Sequence, residues 1–177
     1  MYLSLLDGQP NRAENHSVKR IIESDEWHIA FSEARLFNRE AAAFLRAIGW
    51  YRKGLYTEDP LDKFLAFWNS IEIAANKYSP VLPPKPDGSP PGAKDKIRAC
   101  FGELWGDQNQ WPLIGESEEW IRENYQLRVG IAHGVASVDV KQVEVILEKL
   151  LTIQQVAHNF LSTWKQDKII PGIPVAA

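Results

Sequence analysis

Arg128 and His133 stand five residues apart in the string LRVGIAHG, Leu127 to Gly134. One is a permanent cation and the other titrates near neutral pH, so together they offer charge and proton transfer. Position sharpens the interest in Arg128. It follows Ile121 by seven residues and Tyr125 by three, and it precedes Ala132 by four. That spacing puts a guanidinium on a largely apolar helical stripe. Glu72 is a second such break. It lies four residues after Trp68, seven after Leu65 and eleven after Leu61, on the inner stripe of another helix. A lone buried charge is expensive, so each must find a partner or face a cleft.

Two readings of this pair stand side by side. In one, Glu72 and Arg128 form a structural bridge inside the fold. In the other, Arg128 opens into a cleft and Glu72 orients it from behind. His133 likewise has two readings, as a residue capping a helix C-terminus or as a functional group. At 3.6 residues per turn it lies about 140° around the helix from Arg128. The two converge if the helix ends at His133, as Gly134 implies, or if two copies of the chain meet across a symmetry axis. Gly130, Ala132 and Gly134 are small enough to let a helix or ligand approach.

The elements that must position these groups are helical. Phe37, Ala41, Phe44, Leu45 and Ile48 make one stripe. Asp59 and Pro60 start a second helix as cap and first-turn proline. Leu61, Phe64, Leu65, Trp68, Ile71, Ala75 and Tyr78 form its face. The segment SPVLPPKPDGSPPGA, Ser79 to Ala93, is too rich in proline and glycine for regular helix. A shorter helix is expected over Lys94 to Trp105. Another is expected from a Ser117 cap to about Ala132, stopped by Gly134. Asp139 with Gln142 resembles a capping box for the last helix, whose apolar face runs from Val143 to Trp164. Residues 1 to 33 show no clean period and read as an irregular arm or extension, with YLSLL a short strand at most. Residues 34 to 177 read as an all-α bundle of four to five helices. The tail IIPGIPVAA reads as frayed or docked extended chain.

The string Leu127-Arg128-Val129-Gly130-Ile131-Ala132-His133-Gly134 resembles the arginine, four to six residues, histidine signature of HEPN domains (higher eukaryotes and prokaryotes nucleotide-binding). NYQLR before the motif and a capped final helix after it fit the same order. FLAFWNSIE, Phe64 to Glu72, is similar to the aromatic-then-glutamate helix of several branches of that family. The resemblance spans about Phe37 to Trp164. It implies a helical bundle, usually a homodimer, and often a metal-independent endoribonuclease with its site at the dimer interface. Arg128 would then bind the scissile phosphate and stabilise the transition state. His133 would act as general base or acid on the RNA 2′-hydroxyl or the leaving oxygen. The products would carry 2′,3′-cyclic phosphate and 5′-hydroxyl ends. Tyr125 would stack on a base or bond to phosphate, and Glu72 would orient Arg128. A defence or toxin–antitoxin setting, with an antitoxin or regulatory partner, is implied on the same ground. Active members commonly carry a polar residue after the arginine, often asparagine; here it is Val129.

Composition narrows the remaining choices. A formal net charge of -3 over 177 residues leaves no global basic footprint, so any RNA site is a local patch. The best local patches are RKGLY near Arg52 and KDKIR, Lys94 to Arg98. The single cysteine, Cys100, excludes an internal disulfide and a multi-cysteine zinc site, and reads as a buried structural thiol. His16, His28 and His158 lack ligand spacing, so no metal or other cofactor is expected. The chain lacks a Gly-rich phosphate loop and a G-x-S-x-G elbow. No apolar run approaches the roughly 20 residues of a membrane span, and a cytoplasmic protein is expected. Most tryptophans fall on apolar stripes; Trp111, in the loop NQWPL, is the one expected at the surface. Two alternatives to an RNA-directed protein remain: a non-catalytic helical interaction module, and a nucleotide-binding regulator using the same cleft.

Overall fold

A computed structural model describes residues 23–115, 117–133 and 140–172. Two compact units divide the chain, Met1–Leu36 and Phe37–Ala177. Helix α1 spans Ser24–Glu40, with Asp25 and Glu26 in its first turn, where acidic side chains suit the helix dipole. Trp27 and Phe31 stack at 5.8 Å, and both are more than half-exposed or nearly so, at 50% and 61%. The part of α1 before residue 34 therefore corrects the expectation of an irregular segment. Its aromatic and aliphatic side chains face solvent, so no buried stripe was there to produce a period. The proposed YLSLL strand lies outside the described residues.

The larger unit holds the core. Helix α2 spans Ala42–Tyr56, α3 Pro60–Tyr78, α4 Ala93–Trp105, α5 Ser117–Ala132 and α6 Val140–Trp164. With α1, that makes six long helices among the described residues and no strand, so the chain is all-α with one helix more than expected. The extra helix comes from Ala41. Its φ of -141° and ψ of 47° break the helix at a residue whose neighbours carry an uninterrupted apolar stripe. Alanine favours helix intrinsically, so packing rather than local preference makes this break.

Helix α3 is central. It packs against α2, α4, α5 and α6. Its start is fixed as the sequence predicts: the Asp59 carboxylate accepts from the backbone N–H groups of Leu61 and Asp62, both at 2.9 Å, and Pro60 opens the helix. Phe64, Phe67, Trp68 and Ile71 on α3 are fully buried, with Phe44 from α2, Ile97 and Phe101 from α4, and Ile153, Val156 and Phe160 from α6. Cys100 is buried among them. Burial pushes its thiol up to about 12, with the Glu103 carboxylate adding to the rise.

The segment between α3 and α4 is irregular, as its composition requires. Gly88 turns it at a φ of 78°, a conformation glycine adopts without strain. Lys85 then reaches Asp95 on α4 at 3.2 Å, and the same carboxylate accepts from the Gly92 N–H at 2.8 Å. Those donors hold the Asp95 carboxyl below its ordinary range, against the opposing effect of burial.

Helix α5 begins at Ser117, where the sequence places its start. Other expectations shift in detail. The Asp139–Gln142 box and the Gly134 stop rest on positions outside those described. After Trp164 the chain continues helically, as a π-turn over Lys165–Ile169 and a short turn over Ile170–Gly172, with Ile169 buried. Trp111 is buried rather than exposed: its indole donates to the Gly106 carbonyl at 3.0 Å and its ring meets Phe101 edge-on at 5.3 Å. Among the described residues no helix is long and apolar enough to cross a membrane.

Candidate functional site

Arg128 sits on the core-facing stripe of α5, below Ile121 and Asn124, which are buried. Across from it on α3, Glu72 supplies the counter-charge. The Arg128 Nε stands 3.3 Å from Glu72 Oε2, with the two side chains 27% and 17% exposed. The carboxylate is itself held. Trp68, one turn earlier on α3, donates its indole N–H to the same oxygen at 2.9 Å. Glu72 Oε2 thus serves an indole from its own helix and a guanidinium from α5.

The alignment of this pair is informative. Nε of Arg128 is buried, yet it makes no hydrogen bond. It is close enough to Glu72 for attraction but not directed for hydrogen bonding. Neither Nη nitrogen has an ion-pair or hydrogen-bond partner among the described residues, while part of the side chain meets solvent. The carboxylate neutralises the guanidinium, whose side chain stays 27% exposed.

Tyr125, one turn before Arg128, is half-buried. Its ring meets Trp68 edge-on at 6.4 Å, and the Lys94 ammonium from α4 sits 5.5 Å from its centroid. One side of the phenol ring is therefore committed to the core and another is covered by a cation.

His133 directly follows the last residue of α5. Its backbone N–H donates to the Val129 carbonyl at 3.1 Å, so the helical ladder runs to His133 itself. That keeps the separation of about 140° from Arg128. The imidazole is exposed and has no partner among the described residues, including the helix-end carbonyls that a capping role would use. The structure brings Arg128, Glu72 and Tyr125 together around Trp68, and it does not bring His133 to them within one chain.

Asn124 is a residue the sequence reading missed. It is fully buried, its amide donates to the Trp120 carbonyl at 2.7 Å, and its Oδ1 has no partner. The signal was present: Asn124 is three residues after Ile121 and four before Arg128, so it breaks the apolar period on the same stripe.

A groove of about 450 Å³ opens on another face of α5, between it and α6. Leu127, Gly130, Ile131, Val145 and Ile146 line it, and a 2.7 Å ion pair of Glu123 with Lys149 spans its rim. The lysine's hydrogen bond and charge hold the Glu123 carboxyl below its ordinary range. Arg128 and His133 are not part of this groove. Among the described residues no three histidine, cysteine or carboxylate side chains converge as a metal site would require. Compared with known proteins, the chain matches no family model, no curated protein and no solved structure.

Proposed function

We propose that the chain binds RNA through Arg128 and, as a homodimer, cleaves it without a metal by the chemistry that the HEPN resemblance implies. The observation that carries this reading is the posture of Arg128: a guanidinium that faces Glu72 through Nε, keeps its side chain 27% exposed and has no hydrogen-bond partner for its Nη nitrogens among the described residues. A cation arranged in this way meets a phosphate oxygen without first breaking an internal bond. Glu72, held by Trp68, acts as the positioning residue. His133 supplies the proton transfer. Because it leaves α5 on a different face, the pair must be completed by Arg128 of a second copy. The apolar groove beside α5, with the half-exposed Val145, Leu147 and Leu151 on α6, supports burial against such a copy. An antitoxin or other regulatory partner belongs to the same proposal and rests on the resemblance alone.

A second reading is favoured by the same bridge. The Glu72–Arg128 pair connects α3 to α5, as a purely structural bridge would, and a non-catalytic helical interaction module would then use the α5–α6 groove. Cleavage of a mixed-sequence RNA in EDTA separates the two. Wild type is compared with Arg128→Ala and His133→Ala, each first shown to keep its fold and oligomeric state. Cyclic-phosphate ends from wild type alone support the ribonuclease. Equal, background-level cleavage by all three favours the interaction module.

A further inference from the structure

Lys94 belongs to the basic run KDKIR, which the reading above leaves unused, and its surroundings give it a direction. It stands in the first turn of α4, partly buried, and has no carboxylate partner among the described residues. The acid beside it, Asp95, is already occupied by Lys85 at 3.2 Å, Arg98 at 3.6 Å and the Gly92 N–H. Lys94 instead lies against the face of Tyr125, 5.5 Å from the centroid. Tyr125 and Arg128 are three residues apart on α5, so their side chains are neighbours on one helix surface. Both cations are thereby grouped around one pair of rings: Lys94 on Tyr125, Tyr125 against Trp68, and Trp68 bonded to the carboxylate that faces Arg128.

We infer that Lys94 is a second phosphate-contacting cation of the Arg128 site, held in place by the Tyr125 ring, so that a single RNA strand crosses from α5 onto the start of α4. This rests on the RNA-binding reading above. The physical case is that an ammonium on an aromatic face keeps its remaining donors for a ligand while losing little freedom on binding. The role of Tyr125 changes accordingly, from a base-stacking platform to the support of a cation. Lys96 and Arg98 on α4, and Lys85 just before it, add positive charge near the start of that helix, with Lys85 and Arg98 both paired to Asp95. The chain's overall charge of -3 does not oppose such a local track at physiological salt, because screening confines the field to about 8 Å.

The test is binding of a short single-stranded RNA by the full chain in a His133→Ala background, so that the strand is not cut, followed by anisotropy over a range of KCl. Lys94→Ala is expected to weaken binding several-fold and to lower the salt slope by about 0.7, one phosphate contact on a single strand. Lys94→Arg is expected to restore both. Tyr125→Leu is expected to weaken binding with Lys94 still present. Lys53→Ala is the matched control. That lysine also lies over a ring, Trp50 at 4.8 Å, but on α2, which packs against neither α4 nor α5 among the described residues. Equal losses from Lys53→Ala and Lys94→Ala, or an unchanged slope in Lys94→Ala while Arg128→Ala abolishes binding, overturn the role of Lys94 and leave the RNA-binding reading in place. Absence of any salt-dependent binding by the background chain overturns both. All variants are compared by thermal unfolding first, and Lys94→Gln replaces Lys94→Ala if the latter is destabilised.

Discussion

Glu72 and Arg128 meet at 3.3 Å between α3 and α5, close enough for charge attraction yet without a hydrogen bond from the arginine Nε. Removing the carboxylate leaves a guanidinium that is mostly buried and uncompensated. Glu72→Ala is expected to destabilise the fold by about 1–2 kcal/mol, below the 3–5 typical of a fully buried pair because Arg128 keeps some solvent. Glu72→Gln retains an acceptor for the Trp68 indole and is expected to lose less. A double-mutant cycle with Arg128→Leu, read by denaturant unfolding, isolates the pair. Additive losses would show that the two charges do not couple.

Gly54 is a point of close approach of α2 to α3. A Cβ there would stand 2.7 Å from the Phe67 ring, which is itself fully buried and has no room to retreat. Gly54→Ala is therefore expected to destabilise by about 1–3 kcal/mol, despite alanine's better helix preference. A midpoint in urea equal to or above wild type would contradict the packing described.

Trp111 is expected to be a large contributor to stability although it lies in a loop. It is 3% exposed, it fills space beside Phe101 and Trp105, and its N–H is satisfied by Gly106. Trp111→Ala is expected to lower stability by about 3–5 kcal/mol. Trp27→Ala, which removes a half-exposed ring, is expected to stay within about 0.5 kcal/mol. Similar effects for the two would place Trp111 at the surface.

Cys100 gives a pH prediction. Its folded-state thiol is pushed up to about 12, whereas an unfolded cysteine titrates near 8.5. Unfolding therefore releases a proton at alkaline pH. The stability this group contributes is whole below about pH 8.5 and declines as pH rises toward the folded value. Wild type is expected to lose more stability between about pH 8 and pH 10 than Cys100→Ala does, and the folded thiol should resist alkylation that proceeds readily in denaturant. Rapid labelling of folded protein at pH 8 would refute the burial.

What the sequence made legible were the features with a local cause. Asp59-Pro60 announces the start of α3 because capping is a matter of adjacent residues. The meeting of Glu72 and Arg128 was legible because each breaks an apolar period, and buried charges seek each other. Asn124 broke the same period and was overlooked because an amide attracts less notice than a charge. The rest lacked such a cue. The break at Ala41 opposes local helix preference, Trp111 is buried by a turn that brings it back onto Phe101 and Trp105, and α1 buries no side chain before Phe37 to betray its first turns. Lys94 reached Tyr125 across 31 positions, which no spacing rule foretells.

The central place of α3 has a kinetic consequence. Its contact with α2 needs only the three-residue link from Thr57 to Asp59, whereas its contact with α6 closes a much longer stretch of chain. Closing the longer loop is entropically harder and follows once a surface exists to receive it. The α2–α3 hairpin is thus the expected folding nucleus, with α6 docking late. Substitutions along the Gly54–Phe67 seam should slow refolding, while those at Ile153 or Val156 on α6 should chiefly hasten unfolding.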